Sequence, residues 1–249
     1  MKFLVCISNV PDTTTKITFA DGKGLNATGV QFIINPYDEI ALTRALELKE
    51  ALGGTVTVIN VGGATTEPNI RKALAIGADD AIRVNAEPTD AYFVATQIAE
   101  VIKKDKYDVI LTGRESIDYN GAQVASMLAE LTDLPCVTVA TKLDIVGPSA
   151  GSGEATIERE IDGGKEIVTT SLPFIASAQK GMSEPRIPNM RGIMSARTKP
   201  LTVVEATGNT KNSESVKFEM PPPKQAIKLI SKDNVGELVN LLHTEAKVI

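Results

Sequence analysis

The feature that most constrains the fold is an alternation of short apolar segments with longer amphipathic ones over the first two-thirds of the chain. The apolar segments have strand length and lie at 3–8, 29–34, 55–61, 79–84, 108–113 and 136–140. The intervening segments predict helices at 36–52, from Thr65 or Thr66 to about Ile76, from Asp90 to about Lys104, and from about Gly121 to Leu131. Strands joined by helices of this length form βαβ units, so the pattern predicts an α/β fold with a mostly parallel, doubly wound sheet.

The alternation ends after Leu143. Residues 155–173 contain two strand-like arms around Asp162-Gly163-Gly164, which predicts a hairpin insertion, and 173–178 predict a further strand. Residues 199–206 form a possible strand, whereas 207–225 are polar and rich in proline and are typical of a linker. A last short helix, capped by Asp233, would need a surface to cover, on this chain or on another. We therefore divide the chain into an α/β domain at 1–200 and an extended C-terminal arm at 201–249.

Charge and composition exclude several functions. The net charge is -5 with dispersed basic residues, so no nucleic acid partner is expected. The single histidine, His243, is expected on a surface helix far from every motif, which excludes a Ser-His-Asp centre and a histidine-based metal site. Cys6 and Cys136 lie in apolar segments and favour a reducing compartment. With no apolar run of transmembrane length and no secretion signal, we expect a cytoplasmic protein without membrane insertion.

Four strand ends carry residues that permit ligand binding: 6–8, 35–38, 61–63 and 113–124. In open α/β sheets, ligands bind beyond the carboxyl ends of the strands. In the last segment, a strand ends at Gly113 and a helix is predicted near Gly121, an arrangement that suits a phosphate but equally suits a structural turn. Asp38 and Asp118 lie at strand-to-helix junctions. Their spacing favours helix capping, and the alternative is hydrogen bonding to a ribose or an adenine edge.

Several motifs together resemble a known family. They are NPYDEIAL at 35–42, IRKALAIGAD at 70–79, DVILTGRESIDYNGAQV at 108–124, IEREIDGGKEIVTTSLPFI at 157–175, EPR at 184–186 and IMSAR at 193–197. In order and spacing they resemble the beta subunits of electron transfer flavoproteins over nearly the full length of the chain. The EREIDGG segment is close to the family signature, and Ala176 departs from it where a larger aliphatic residue is usual.

The resemblance implies a function. The family is a heterodimeric electron carrier, not an enzyme on its own substrate, that works between flavoprotein dehydrogenases, such as acyl-CoA dehydrogenases, and a membrane quinone-linked acceptor, a quinone oxidoreductase. FAD lies mostly on the alpha subunit and is completed by the beta subunit. The beta subunit has an adenine-nucleotide-binding fold and holds AMP, or a second FAD in bifurcating members.

The resemblance also assigns roles to residues of this chain. The nucleotide-binding residues would be Cys6, Asn35, Pro36, Tyr37, Asp38, Val61, Gly113, Arg114, Glu115, Ser116, Ile117, Asp118, Tyr119, Asn120, Gly121, Ala122, Gln123 and Val124. Arg159 and Glu160 would lie at the subunit interface near the flavin, although a tight hairpin alone also explains that segment. Met190, within a loop at 184–195, would anchor partner dehydrogenases, and the C-terminal arm would wrap the alpha subunit.

One residue favours AMP over a second FAD. Bifurcating relatives typically have glycine directly after the aspartate of this loop, where the chain has Tyr119. A bulky side chain there would obstruct a dinucleotide and still admit one phosphate. Two other functions share the fold: a regulatory module that binds AMP or ATP, which gives no reason for the hairpin, and an adenylating enzyme, whose SGG-type loop is replaced by SNVPDTT after the first strand.

Overall fold

A computed structural model describes residues 1–20, 22, 24–149, 152–208, 210–224 and 226–249. The strands are β1 Lys2–Cys6, β2 Asn9–Pro11, β3 Phe19–Ala20, β4 Gly24–Leu25, β5 Phe32–Ile34, β6 Thr55–Val61, β7 Asp80–Asn85, β8 Val109–Gly113, β9 Cys136–Ser149, β10 Ser152–Ile161, β11 Gly164–Ser171, β12 Phe174–Ala178 and β13 Leu201–Glu205. The helices are α1 Pro36–Leu52, α2 Glu67–Ile76, α3 Ala91–Lys104, α4 Val124–Thr132, α5 Met190–Ala196 and α6 Val235–Leu241. A 3₁₀ turn at Ala64–Thr66 precedes α2, and a π-helical turn at Leu242–Ala246 follows α6.

The central sheet confirms the predicted fold class. It contains nine strands in the order β11-β10-β9-β12-β8-β1-β6-β7-β13. Strands β12, β8, β1, β6, β7 and β13 are parallel, and only the ladders β9–β10 and β10–β11 are antiparallel. The chain runs from β1 outward through β6 and β7 and then returns to β8 on the other side of β1. The order of the strands therefore reverses between β1 and β8, which is where ligands bind in sheets of this kind.

Alternate residues of each central strand supply two separate cores. Phe3 and Val5 of β1 pack in a cluster with α1 and α2, whereas Leu4 packs in the opposite cluster with α3 and α4. All three side chains have no exposed surface. Because both faces are buried, β1 and β8 read as continuous apolar runs instead of alternating ones.

The predicted strand at 29–34 lies outside this sheet. Its final part, β5, pairs antiparallel with β2 in a separate two-stranded ribbon. The described residues between β1 and β5 (7–20, 22 and 24–31) form no helix, so they supply none of the helical crossover that a parallel neighbour usually requires. The apolar run at 29–34 could not reveal this difference, because ribbon and sheet strands share the same composition.

The predicted hairpin is present as β10 and β11, and the strand before it, β9, is longer than expected. Ile161 pairs with Gly164, so Asp162 and Gly163 form a two-residue turn, with Gly163 in the left-handed region at φ +82°. β9 was predicted to end near residue 140 but continues to Ser149, because β10 pairs along it from Ser152 to Arg159.

The end of the chain combines one sheet strand with an exposed arm. β13 joins the sheet edge beside β7, so residues 201–205 pair with the domain, while the division at residue 200 stays a prediction. α6 has no buried residue, and its N-cap is Asn234, one residue after the predicted Asp233. His243 is exposed, as expected. Within the described ranges, no helix combines the length and hydrophobicity needed to cross a bilayer.

Candidate functional site

The carboxyl ends of β1, β6 and β8 meet where the strand order reverses, and the first turn of α1 packs against them. Asn35 is the N-cap of α1, and Pro36 takes the first helical position, where its missing N–H costs no hydrogen bond. This places 35–38 beside Ser8, which follows β1, and beside Gly113, which ends β8. Three of the four predicted segments therefore come together at one edge of the sheet.

Asp38 does not cap its helix. Ser8 donates to Asp38 Oδ2 from its backbone N–H at 2.7 Å and from its hydroxyl at 2.6 Å, and the Gly113 N–H donates to Asp38 Oδ1 at 2.8 Å. The residue is 5% exposed. Burial raises the pKa of Asp38 to about 6, and these hydrogen bonds offset only part of that effect. The carboxylate joins the ends of β1 and β8.

Asn35 is fully buried and holds the segment after β8. Its Nδ2 donates to the carbonyl of Glu115 at 2.8 Å, and its Oδ1 accepts from the Ile117 N–H at 3.2 Å. Its own N–H donates to the carbonyl of Ser8 at 3.0 Å. A single side chain therefore satisfies two backbone groups of a loop 80 residues further along the chain.

Gly113 has no space for a side chain. A Cβ there would overlap Asp38 Oδ1 and would lie 2.8 Å from the Cβ of Tyr37. The glycine therefore lets α1 approach the end of β8 closely enough for the Asp38 hydrogen bond to form. The need for a glycine at this strand end therefore has a steric cause.

The loop after Gly113 starts as an ordered segment. The Arg114 N–H donates to the carbonyl of Ala178 at 2.9 Å, which ties the loop to the end of β12. The Arg114 guanidinium lies 2.9 Å from the Glu115 carboxylate and 5.6 Å from the centre of the Tyr37 ring. The ion pair of Arg114 and Glu115 thus lies beside Tyr37 at the start of the loop.

The helix after this loop begins later than predicted. α4 starts at Val124 with Gln123 as its N-cap, so Gly121 lies in the loop. Asn120 and Ala122 both have φ near +51°, a left-handed conformation that non-glycine residues seldom adopt. The Gln123 side chain does not cap the helix, so the first-turn amides of α4 carry no side-chain cap. Such amides favour an anion.

Tyr119 points into solvent. Its side chain belongs to the exposed part of the loop and is 69% exposed, while Asp118 accepts a hydrogen bond from the Tyr119 N–H. A side chain so exposed does not itself fill the space beyond the strand ends. The predicted obstruction of a dinucleotide would therefore need Tyr119 to turn inward on binding.

Cys6 and Val61 are the last residues of β1 and β6, pack in the cluster on the α3 and α4 side of the sheet, and are each 7% exposed. Burial, with a smaller contribution from Asp38, raises the pKa of the Cys6 thiol well above its ordinary value. Burial likewise raises the pKa of Cys136 to about 11. Both thiols are free and stay protonated near neutral pH, so they act as apolar residues and not as nucleophiles.

The hairpin brings Arg159 to the same edge of the sheet. Gly113 pairs with Ala178, Ala178 with Ala140, and Ala140 with Arg159, so these residues form one row across four adjacent strands. Three strand spacings correspond to about 14 Å. Arg159 Nη1 lies 3.5 Å from the Glu166 carboxylate, and its Nε is buried without a hydrogen-bond partner.

Glu160, the neighbouring candidate, is held by one neutral hydrogen bond. Gln179 Nε2 donates to its carboxylate at 3.0 Å. Gln179 directly follows β12 and is itself buried. The hydrogen bond thus ties the hairpin to the end of β12, the strand next to β8.

Met190 lies elsewhere, at the start of α5. Asn189 caps this helix by accepting from the Gly192 N–H at 2.8 Å, and a Cβ on Gly192 would overlap the carbonyl of Ala75, so α5 lies directly on α2. Arg71 donates to the carbonyl of Ala196 at 2.9 Å and fixes the other end of the helix. Three apolar residues of the helix are exposed, Met190, Ile193 and Met194, and so is Ile187 shortly before it.

Sequence reasoning missed the connections between these segments. Ser8 was noted only as a strand-end residue, and Ala178 and Gln179 were not singled out. Their partners lie 30, 64 and 19 residues away in the chain. No cluster of histidine, cysteine or acidic residues suited to a metal occurs in the part of the chain that the structure describes.

Comparisons with known proteins cover both the sheet and the arm. A family model described as the electron transfer flavoprotein domain matches residues 24–209. The chain is 39% identical to the electron transfer flavoprotein subunit beta of Bacillus subtilis over the full length of both chains. It is 34% identical to the protein of that name from Bradyrhizobium diazoefficiens, again over both full lengths. It is 32% identical to the Homo sapiens protein over 91% of each chain.

Proposed function

Since the chain belongs to the electron transfer flavoprotein family and matches its beta subunits, we propose that it is the small subunit of a heterodimeric electron carrier without substrate chemistry of its own. The observation that carries this proposal is that both candidate segments lie at the same end of the central sheet, the carboxyl end of β8. Gly113, where the 113–124 loop begins, and Arg159 of the hairpin lie in one row across four strands, about 14 Å apart. The same end of the sheet can thus bind a nucleotide in this subunit and contact a flavin held by a partner.

We propose that the nucleotide in this subunit is AMP. Two features suit its phosphate, the uncapped first turn of α4 and the nearby Arg114 side chain, whereas the adenosine part rests on the family resemblance. The first-turn amides from Val124 onward would hold the phosphate. Pro36 and Tyr37 would lie against the base or the sugar. No group in this loop suggests that the nucleotide reacts, so its role is structural.

FAD is proposed to lie mainly on the alpha subunit and to be covered by the hairpin of this chain. When bound, the flavin supplies reversible one-electron and two-electron chemistry. Arg159 suits an anionic or electron-rich partner, because its side chain is only 31% exposed and its Nε lacks an acceptor. Glu160 would contribute to the charge near the flavin. The contribution of this chain is to orient the flavin and to exclude water.

The C-terminal arm supports pairing with an alpha subunit. In the part of the arm that the structure describes, large apolar side chains lie in solvent, including Val216 at 91%, Ile227 at 80% and Leu229 at 84% exposure. Apolar residues spaced along an extended segment gain little in an isolated chain and gain much when a partner covers them. We propose that the physiological donors and acceptors are flavoprotein dehydrogenases, such as acyl-CoA dehydrogenases, and a quinone oxidoreductase. Two free cysteines fit a cytoplasmic location.

The nucleotide content of the heterodimer is the first expected result. The chain co-expressed with its alpha subunit should give a yellow 1:1 complex, and the chain expressed alone should be colourless. Nucleotides released by acid and separated by chromatography should amount to one FAD and one AMP per heterodimer. Two FAD and no AMP would instead identify a bifurcating member, an outcome that the outward position of Tyr119 makes a specific alternative.

The exposed face of α5 leads to a second expected result. Met190→Glu should slow electron transfer from the partner dehydrogenase by at least about tenfold, because an apolar anchor contributes roughly 2 kcal/mol when it is buried in an interface. Met190 is 74% exposed, so the substitution should leave folding and the flavin spectrum unchanged. Rates are measured by stopped-flow with the reduced dehydrogenase. Lys16→Glu, an exposed charge reversal outside this face, is the matched control. An unchanged rate for Met190→Glu would refute the docking assignment.

A further inference from the structure

Two side chains at the start of α1 are committed to the protein itself. Asp38 accepts three hydrogen bonds, two from Ser8 and one from Gly113, and Asn35 makes two with the loop at 115–117. Asp38 is 5% exposed and Asn35 is 0% exposed. Side chains this deeply buried, with these partners, offer almost no surface to a ligand beyond the strand ends.

The same contacts join three segments that are distant in sequence. Asp38 connects the end of β1 to the end of β8, across 30 and 75 residues respectively. Asn35 continues the connection to Glu115 and Ile117 in the loop. The loop therefore takes its position from α1, and its exposed part at 118–123 makes fewer contacts with the protein.

We propose that Asn35 and Asp38 are positioning residues for the bound nucleotide, which act through Ser8, Gly113 and the 115–117 backbone and do not contact the ligand. This rests on the proposed binding of AMP by this subunit. It differs from the direct contacts that the family resemblance implied for these two positions. Pro36 and Tyr37, between them, keep their proposed role as contacts.

The isosteric change Asp38→Asn separates the two roles. It replaces one carboxylate oxygen with an NH₂ group, so a donor must face either the Ser8 donors or the Gly113 N–H in both orientations of the amide. Loss of one such bond with an unsatisfied donor left behind should weaken nucleotide binding by roughly 10- to 100-fold. If Asp38 contacted the ligand directly, the loss of affinity would also depend on which ligand group is present.

The experiment titrates nucleotide-free heterodimer by calorimetry with AMP and with three analogues that lack the 2′-hydroxyl, the 3′-hydroxyl or the 6-amino group. A positioning role predicts that Asp38→Asn weakens all four ligands by the same factor, within about twofold, so that the affinity ratios of the wild type are preserved. If one analogue binds the variant as tightly as it binds the wild type, Asp38 contacts the group that this analogue lacks. That result would show the proposal to be wrong. Unchanged affinity for AMP would also overturn it.

Amide hydrogen exchange on the chain tests the same point without nucleotide. Asp38→Asn should accelerate exchange across 113–117 by at least about tenfold. The control is Asp12→Asn, since Asp12 likewise accepts from a backbone N–H and a hydroxyl, but only from Thr14 in its own turn. Unchanged exchange at 113–117 would refute the positioning role. Failure of the wild-type heterodimer to bind AMP would count against the proposed function alone.

Discussion

The double substitution Ile227→Asp with Leu229→Asp is expected to prevent formation of the heterodimer. The two side chains are 80% and 84% exposed in the isolated chain, so the change removes no internal contact and should leave its folding intact. In a complex, the same positions would carry two charges into an apolar interface. Central interface residues often contribute 2 kcal/mol or more each, so affinity for the alpha subunit should fall by at least about 100-fold. Co-purification and sedimentation velocity measure this loss.

The control for this experiment is Lys232→Asp, which introduces the same charge at an exposed polar position of the arm. It should assemble with the alpha subunit normally. A yellow 1:1 complex from the double variant, at wild-type yield, would mean that the arm does not cover the partner. The exposed apolar residues would then need a different explanation.

The second large effect is expected for Gly113→Ala. A single methyl group at this position overlaps Asp38 Oδ1 and lies close to Tyr37, both on the first turn of a well-packed helix. Relief requires α1 and β8 to separate, which breaks the Gly113–Asp38 hydrogen bond. We expect a loss of about 3 kcal/mol in the free energy of unfolding, the upper range for overpacking a buried site, and loss of the nucleotide from the heterodimer. Urea denaturation and chromatography of the released nucleotides measure the two effects.

Gly24→Ala is the matched control for stability. A Cβ at Gly24 would meet nothing within 4 Å, and the residue lies outside every candidate site. Its free energy of unfolding should stay within about 0.5 kcal/mol of the wild type. If Gly113→Ala were equally mild and retained its nucleotide, the close packing at the end of β8 would not matter for binding.

Elements with local end signals were predictable from the sequence. Helix α1 runs from Pro36 to Leu52 as predicted, because Asn35-Pro36 begins it and Gly53-Gly54 ends it. The hairpin turn at Asp162-Gly163 was predictable for the same reason. The helix start at Gly121 was wrong by three residues, since Asn120 and Ala122 adopt left-handed conformations that their side chains do not signal.

The candidate site was predictable in its parts and not in its connections. The strand ends at Ser8, 35–38 and Gly113 were recognisable as a ligand edge from the alternation of strands and helices. The role of Asp38 was not, because helix capping and ligand binding were the only options visible in its local spacing. Its actual partners depend on which strands become neighbours in the sheet, which is a property of the folded chain.

The width of the sheet has a consequence for assembly kinetics. The hairpin β10–β11 occupies one edge, and β13, from which the arm departs, occupies the other, eight strand spacings or about 38 Å away along the sheet. A partner held at both edges is bound bivalently. Once one attachment has formed, the second is intramolecular and proceeds at a high effective concentration. Dissociation requires both attachments to open together, so subunits would exchange slowly even when each attachment by itself is weak.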